Sequence, residues 1–118
     1  MDLYQENILE HYKEPHNKGE IKDAKLRQSG ANLMCGDHLV LYINHDDTKI
    51  TEVKFEGKGC AISQAAASML TDELMDMPLV EAKKITKEDV LDMLGIEIGP
   101  TRLKCALLGL DTLKAALR

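Results

Sequence analysis

The chain of 118 residues contains no tryptophan, a single phenylalanine and only 3% aromatic residues. Base-stacking platforms are therefore scarce. A net charge of −5 also removes the cationic surface that nucleic acid needs, so nucleic acid is excluded as a partner. No apolar run approaches the roughly 18 residues of a membrane span. The opening stretch MDLYQENILEHYKE carries acids early and reads as neither a secretory signal nor an arginine-rich transit peptide. These absences predict a cytoplasmic protein with no membrane partner. Cysteine is also scarce, and its count of three is odd, which suits free thiols in a reducing compartment better than a disulfide framework. What remains is an aliphatic supply: 44% hydrophobic residues, six of them methionine, enough for one core and one domain spanning residues 1–118.

The hydrophobic period changes along the chain. Leu3, Tyr4, Ile8, His11 and Tyr12 recur at helical spacing, and Pro15 ends that helix because the residue before proline is pushed out of helical geometry. HNKGEIKDAK reads as a polar connector. Leu39, Leu41 and Ile43 alternate with His38, Val40 and Tyr42, and after NHDDT the chain returns through Ile50, Val53 and Phe55, which predicts a hairpin. AKLRQSG is a weaker candidate for a neighbouring strand. From Ala61 the period becomes helical through Ile62, Ala65, Ala66, Met69, Leu70 and Leu74, with Pro78 as its latest end. PLVEAKKI predicts a short helix. TKEDVLDMLG predicts another, with Thr86 as N-cap, Asp89 three residues on and Gly95 as terminator. The last helix is expected from about Thr101 to Leu117, with Pro100 near its first turn and Leu103, Ala106, Leu107, Leu110, Leu113 and Leu117 as its buried stripe. Helix, strands, then helices indicate an α+β fold: a small antiparallel sheet with helices packed on one face.

The three cysteines fall near element boundaries. Cys35 lies in the turn MCGD, two residues before Asp37; Cys60 follows GKG at the start of the alanine-rich helix; Cys105 is expected within the first turn or so of the last helix. A helix N-terminus favours thiolate at Cys60 and, on this placement, at Cys105, with Lys58 and Lys104 adding positive charge. Three thiolates and the Asp37 carboxylate would make four ligands for zinc or an iron–sulfur cluster. The alternative stays open at this point, because free cysteines are commonly buried and Gly-Asp turns are common. The spacings, 24 residues between the first two cysteines and 44 between the next two, match no local zinc-finger pattern. His11, His16, His38 and His45 read as surface or packing residues, and Met69, Met75, Met77 and Met93 as gap fillers in the core.

Four ordered stretches carry a resemblance: HYKEPHNKG at 11–19, CGD at 35–37, GKGCAISQAAASML at 57–70 and RLKCALLGLDTLKAAL at 102–117. Through them the chain resembles the IscU/NifU-type iron–sulfur cluster assembly scaffolds, with the related SufU branch, over nearly its whole length. The resemblance implies the SufE/NifU fold, a three-stranded antiparallel sheet with several helices and an N-terminal helix before it. It also implies a [2Fe–2S] cluster held by Cys35, Asp37, Cys60 and Cys105, built from iron and from persulfide sulfur delivered by a cysteine desulfurase. Iron would come from a donor, and the cluster would pass to acceptor apoproteins. Zinc is the alternative occupant of the same ligands, for a SufU-type sulfurtransferase in which one cysteine carries sulfur. Cys105 would be the persulfide acceptor on the IscU precedent, Cys35 on that of SufU. Two departures bear on this. Where IscU-type members carry a histidine before the third cysteine, this chain has Lys104, which is expected either to pair with Asp37 or to be solvated. The Leu-Pro-Pro-Val-Lys segment read by an Hsp70-type chaperone is replaced by IEIGPTRLK, which weighs against that partner. A homodimer is left open. CAIS and RLKCA are SufU-like, yet the segment between Cys60 and Cys105 has no room for the SufU insertion.

Overall fold

The computed structural model describes residues 2–118. In chain order the elements are α1 (Leu3–Lys13), β1 (Leu26–Asn32), β2 (Asp37–His45), β3 (Ile50–Lys58), α2 (Ala61–Leu74), α3 (Leu79–Ala82), α4 (Lys87–Leu94) and α5 (Pro100–Ala116). The strands form one antiparallel sheet in the order β1-β2-β3, so the weak AKLRQSG signal is an edge strand.

The element ends follow local chemistry. Asp2 caps α1 by accepting the Gln5 N–H at 2.8 Å, and the Gln5 side chain returns to the Asp2 N–H. At the β2–β3 turn the Asp46 carboxylate accepts the backbone N–H groups of Thr48 and Lys49, each at 2.8 Å. Thr86 and Asp89 form the expected capping box of α4, and Gly95 ends that helix at φ 69°. A Cβ at Gly95 would run into the Tyr4 ring, which shows how closely α1 seals the end of α4.

The polar connector after α1 is more ordered than its composition suggests. Gly19 donates its N–H to the Phe55 carbonyl at 2.8 Å, and Phe55 donates to the Asn17 carbonyl at 2.9 Å. Residues around 17–19 therefore lie alongside β3 in parallel. Backbone pairing needs no side-chain alternation, so the sequence carries no period-2 signal there.

Leu39, Leu41, Ile43, Ile50, Val53 and Phe55 form the covered face of the sheet, against α2 and α5. Each such side chain contributes about 1.5–3 kcal/mol on burial. α2 is buried almost all round from Ser63 to Thr71, which its small residues Ala65, Ala66, Ala67 and Ser68 allow. Gly109 brings α5 close: a Cβ there would stand 3.6 Å from the Cα of Ala67. Leu103 and Leu117, expected in the buried stripe of α5, are only half-buried because they sit near its two ends. Met69 is buried, and Met75, Met77 and Met93 pack at the edge of the core as gap fillers. His11 is a buried packing residue whose pKa is lowered, first by burial and then by the neighbouring His16. Among the described residues no helix is long and apolar enough to cross a membrane.

Candidate metal centre

The site forms where the β1–β2 loop meets the ends of α2 and α5. Cys35 donates its N–H to the Asn32 carbonyl at 3.2 Å, closing a tight loop over residues 33–36. Gly36 completes it at φ +70°, a conformation that costs an L side chain although open space surrounds it. Cys35 is exposed at this loop. Asp37 is already the first residue of β2, opposite Asn32, and shares its strand face with Leu39 and Leu41. That alternation, rather than the turn, sends a carboxylate inward, where it is 2% exposed.

Cys60 is the N-cap of α2, and its backbone N–H donates to Asp37 Oδ1 at 3.0 Å. Ser63 Oγ donates to the Cys60 carbonyl at 3.0 Å. A Cβ on Gly59 would stand 2.5 Å from Asp37 Oδ1 and collide with Ser63, so glycine is required there by close approach. Cys105 is placed differently from expectation. It is the sixth residue of α5, beyond the first turn, and is 1% exposed. Its Sγ accepts from Asn32 Nδ2 at 3.6 Å, a contact that ties β1 to α5.

One ligand atom each from Cys35, Asp37 and Cys105 lies within 4.8 Å of the others. Cys60, half-buried at the N-cap of α2, is outside that trio. The thiols of Cys60 and Cys105 differ in proton affinity. Burial pushes the Cys60 thiol up, but hydrogen bonds from the backbone of Ser63, the Cys105 thiol and the backbone of Ile62 outweigh it, and its pKa falls below the ordinary value. Burial pushes the Cys105 thiol strongly up, and Asp37, Cys35 and Cys60 around it add to the shift. The expectation of helix-stabilised thiolate therefore holds for Cys60 and is corrected for Cys105, whose depth in α5 removes it from the free N–H groups.

Lys104 is exposed and lines a cleft of about 360 Å³ with Asn32, Met34, Cys35, Pro100 and Thr101. It forms no ion pair with Asp37: the ion pairs among the described residues are His16–Asp72 and Lys49–Asp76. The solvated alternative is the one adopted.

Asp37 Oδ2 is buried and has no hydrogen-bond partner among the described residues. A carboxylate oxygen in that state is costly unless something cationic meets it. The Cys35 and Cys105 thiols with the Asp37 carboxylate make a mixed sulfur and oxygen donor group of the type that suits zinc or the iron of a cluster, and Cys60 adjoins it through its N–H bond to Asp37. Sequence reasoning missed Asn32 and Ser63, which steady Cys105 and Cys60. Only their positions across β1 and one turn into α2 could have pointed to them. The loop also exposes Leu33 and Met34, at 91% and 87%, beside Cys35.

A family model described as the NifU-like N terminal domain matches residues 3–118. The iron–sulfur cluster assembly scaffold protein IscU of Thermotoga maritima is 33% identical, covering 98% of this chain and 93% of that protein. The zinc-dependent sulfurtransferase SufU of Bacillus subtilis is also 33% identical, over 95% and 87% respectively. Both alignments, at 132 and 129 positions, exceed 118 residues, so both relatives carry residues that this chain lacks. The crystal structure of FiSufU from Fervidobacterium islandicum AW-1 superposes with a TM-score of 0.83 at 32% identity, covering 96% of this chain and 95% of that one.

Proposed function

We propose, from the premise that this chain belongs to the NifU-like N-terminal domain family, that it is a scaffold on which a [2Fe–2S] cluster is assembled and from which it is handed to acceptor proteins. The observation that carries this is the buried, unpartnered Oδ2 of Asp37, whose carboxylate is grouped with the thiols of Cys35 and Cys105. Cys35, Asp37, Cys60 and Cys105 are the ligands. Thiolates hold iron firmly, while a carboxylate oxygen is a harder and weaker partner for it. Asp37 therefore keeps the cluster transferable.

A cysteine desulfurase supplies the sulfur in this proposal. The acceptor thiolate attacks the outer sulfur of the desulfurase persulfide; a new S–S bond forms, and the desulfurase cysteine leaves as thiolate. Cys105 is the acceptor expected on the IscU precedent, but it is 1% exposed and its thiol keeps its proton. Cys35 is exposed. We therefore place the first transfer at Cys35, with Cys105 receiving sulfur only from within the site.

The second reading is a zinc-dependent sulfur acceptor using the same four residues. The exposed Cys35 beside the buried Asp37 and Cys105 favours it, since a partner can reach one thiol without dismantling the rest. Zinc would hold the thiols deprotonated, and Cys35 would leave it to accept sulfur. Anaerobic reconstitution with ferrous iron and sulfide separates the two. A visible chromophore at about two irons per chain supports the scaffold. Tight zinc retention without a chromophore, with zinc-dependent stimulation of a desulfurase, supports the alternative.

A further inference from the structure

A second group of ligating side chains lies far from the thiols. His11 from the end of α1, His16 from the following connector and Asp72 from the last turn of α2 place one ligand atom each within 4.8 Å of one another. Asp72 is twelve residues along the helix from Cys60, about 18 Å at 1.5 Å per residue. The two groups sit at opposite ends of α2.

We propose that His11, His16 and Asp72 form a second metal site, for a divalent first-row cation of the zinc or ferrous type. The proposal does not depend on the scaffold reading. Two imidazoles and a carboxylate suit that class of ion, and without thiolate the site is the weaker and faster-exchanging of the two.

The side chains are already held. Ser68 is fully buried, and its Oγ lies 2.7 Å from His11 Nδ1 while accepting the His16 backbone N–H at 2.7 Å. One hydroxyl thus fixes the ring of His11 and the backbone of His16 together. Asp72 is gripped from both sides, with Oδ2 at 2.6 Å from His16 Nδ1 and Oδ1 accepting from Asn17 Nδ2 at 2.8 Å. Asn17 also donates to Thr71 Oγ1 at 3.1 Å. This is the hydrogen-bonded outer frame that metal-binding histidines and carboxylates use. The His11 and His16 rings stand 4.3 Å apart between centroids. Neither histidine Nε2 has a hydrogen-bond partner among the described residues.

Entry is open, because the side chains of His16 and Asp72 are 48% and 44% exposed. An ion takes the place of the proton shared by His16 Nδ1 and Asp72 Oδ2, releasing it, while Asn17 keeps Oδ1 and Ser68 keeps His11 Nδ1. His11 then offers Nε2. Bonds of about 2.0–2.2 Å bring tetrahedral donors to about 3.4 Å from one another, a closure within reach of the two exposed side chains. A fourth position is left to water.

Cobalt(II) and zinc binding to the full chain tests this, with His16→Ala and Asp72→Asn as variants. Equilibrium dialysis should give two ions per chain in the unaltered protein. The second, weaker equivalent should lose about 10- to 100-fold in affinity in each variant. Thiolate-to-cobalt charge-transfer absorption reports the thiol centre separately and should persist in both. One ion per chain with that absorption present, or two ions unaffected by both substitutions, overturns the proposal and leaves a hydrogen-bonded staple between α1 and α2. If the charge-transfer band is missing while a substitution-sensitive ion remains, the thiol reading fails and this one stands. Should either variant lose its circular dichroism, histidine ring resonances of the unaltered protein decide. Zinc should shift His11 and His16 and leave His38 and His45 in place; unmoved His11 and His16 signals reject the site.

Discussion

Replacing Asp37 by alanine should separate stability from metal binding. In the metal-free protein the substitution removes one hydrogen bond, from the Cys60 N–H to Oδ1 at 3.0 Å. A hydrogen bond to a charged group is worth about 1.5–3 kcal/mol. The same change deletes Oδ2, a buried acceptor with no partner, whose desolvation costs about 1–3 kcal/mol. The two effects oppose one another, so the metal-free variant should stay within about 1 kcal/mol of the parent, or about 4 °C in Tm. Binding should behave otherwise. With zinc at a hundredfold excess over its Kd the parent gains about 2.7 kcal/mol, near 10 °C. A hundredfold weaker variant at the same zinc concentration gains only about 0.4 kcal/mol. Thermal unfolding with and without zinc, followed by circular dichroism, reads all four values. A metal-free variant that loses more than about 3 kcal/mol would mean that the carboxylate is satisfied within the fold. An undiminished zinc shift would remove Asp37 from the ligand set. Either result refutes the reasoning.

Three further outcomes follow from the geometry. Iodoacetamide should modify the exposed Cys35 first and Cys105 last, and the pH midpoint for Cys60 should fall below that of an ordinary thiol; mass mapping checks this, and early labelling of Cys105 contradicts its burial. Gly57→Ala should destabilise by about 2 kcal/mol or more in urea titrations, because Gly57 sits at φ +152° and a Cβ would press on the backbone of His38 and Leu39; an unchanged midpoint rejects that strain. The backbone N–H groups of Thr48 and Lys49, followed by the Thr48 hydroxyl, hold the Asp46 pKa below the ordinary carboxylate value. A depressed folded pKa stabilises above the unfolded value, and that contribution disappears as pH falls through the folded one. Carbon NMR of Asp46 should show titration below that of an unperturbed aspartate, and Asp46→Ala should flatten the acid limb of the stability profile.

The sheet and helices were legible because their signals are local. Leu39, Leu41 and Ile43 against Ile50, Val53 and Phe55 give the hairpin, while Thr86, Asp89 and Gly95 bracket α4 within ten residues. The parallel run around residues 17–19 was not legible, since backbone hydrogen bonds to Phe55 leave no trace in side-chain order. The Asp37 carboxylate and three thiols could be named as candidate ligands from the sequence. Their inequality could not: whether Cys105 is in the first turn or the second is a shift of a few residues, yet it exchanges free N–H groups for burial.

By itself the sequence determined the elements and the donor types. Period, capping residues and prolines act over a few neighbours, and cysteine and aspartate carry their chemistry wherever they lie. Tertiary structure alone decided which donors meet and in what state. Strand alternation from Leu39 back to Asp37 buried a carboxylate, and the depth of Cys105 in α5 held its proton on. Packing of α1 and the connector after it against α2 brought His11 and His16 to Asp72 from more than fifty residues away in sequence. Burial and through-space distance set proton affinity and coordination, and neither is a property of order along the chain.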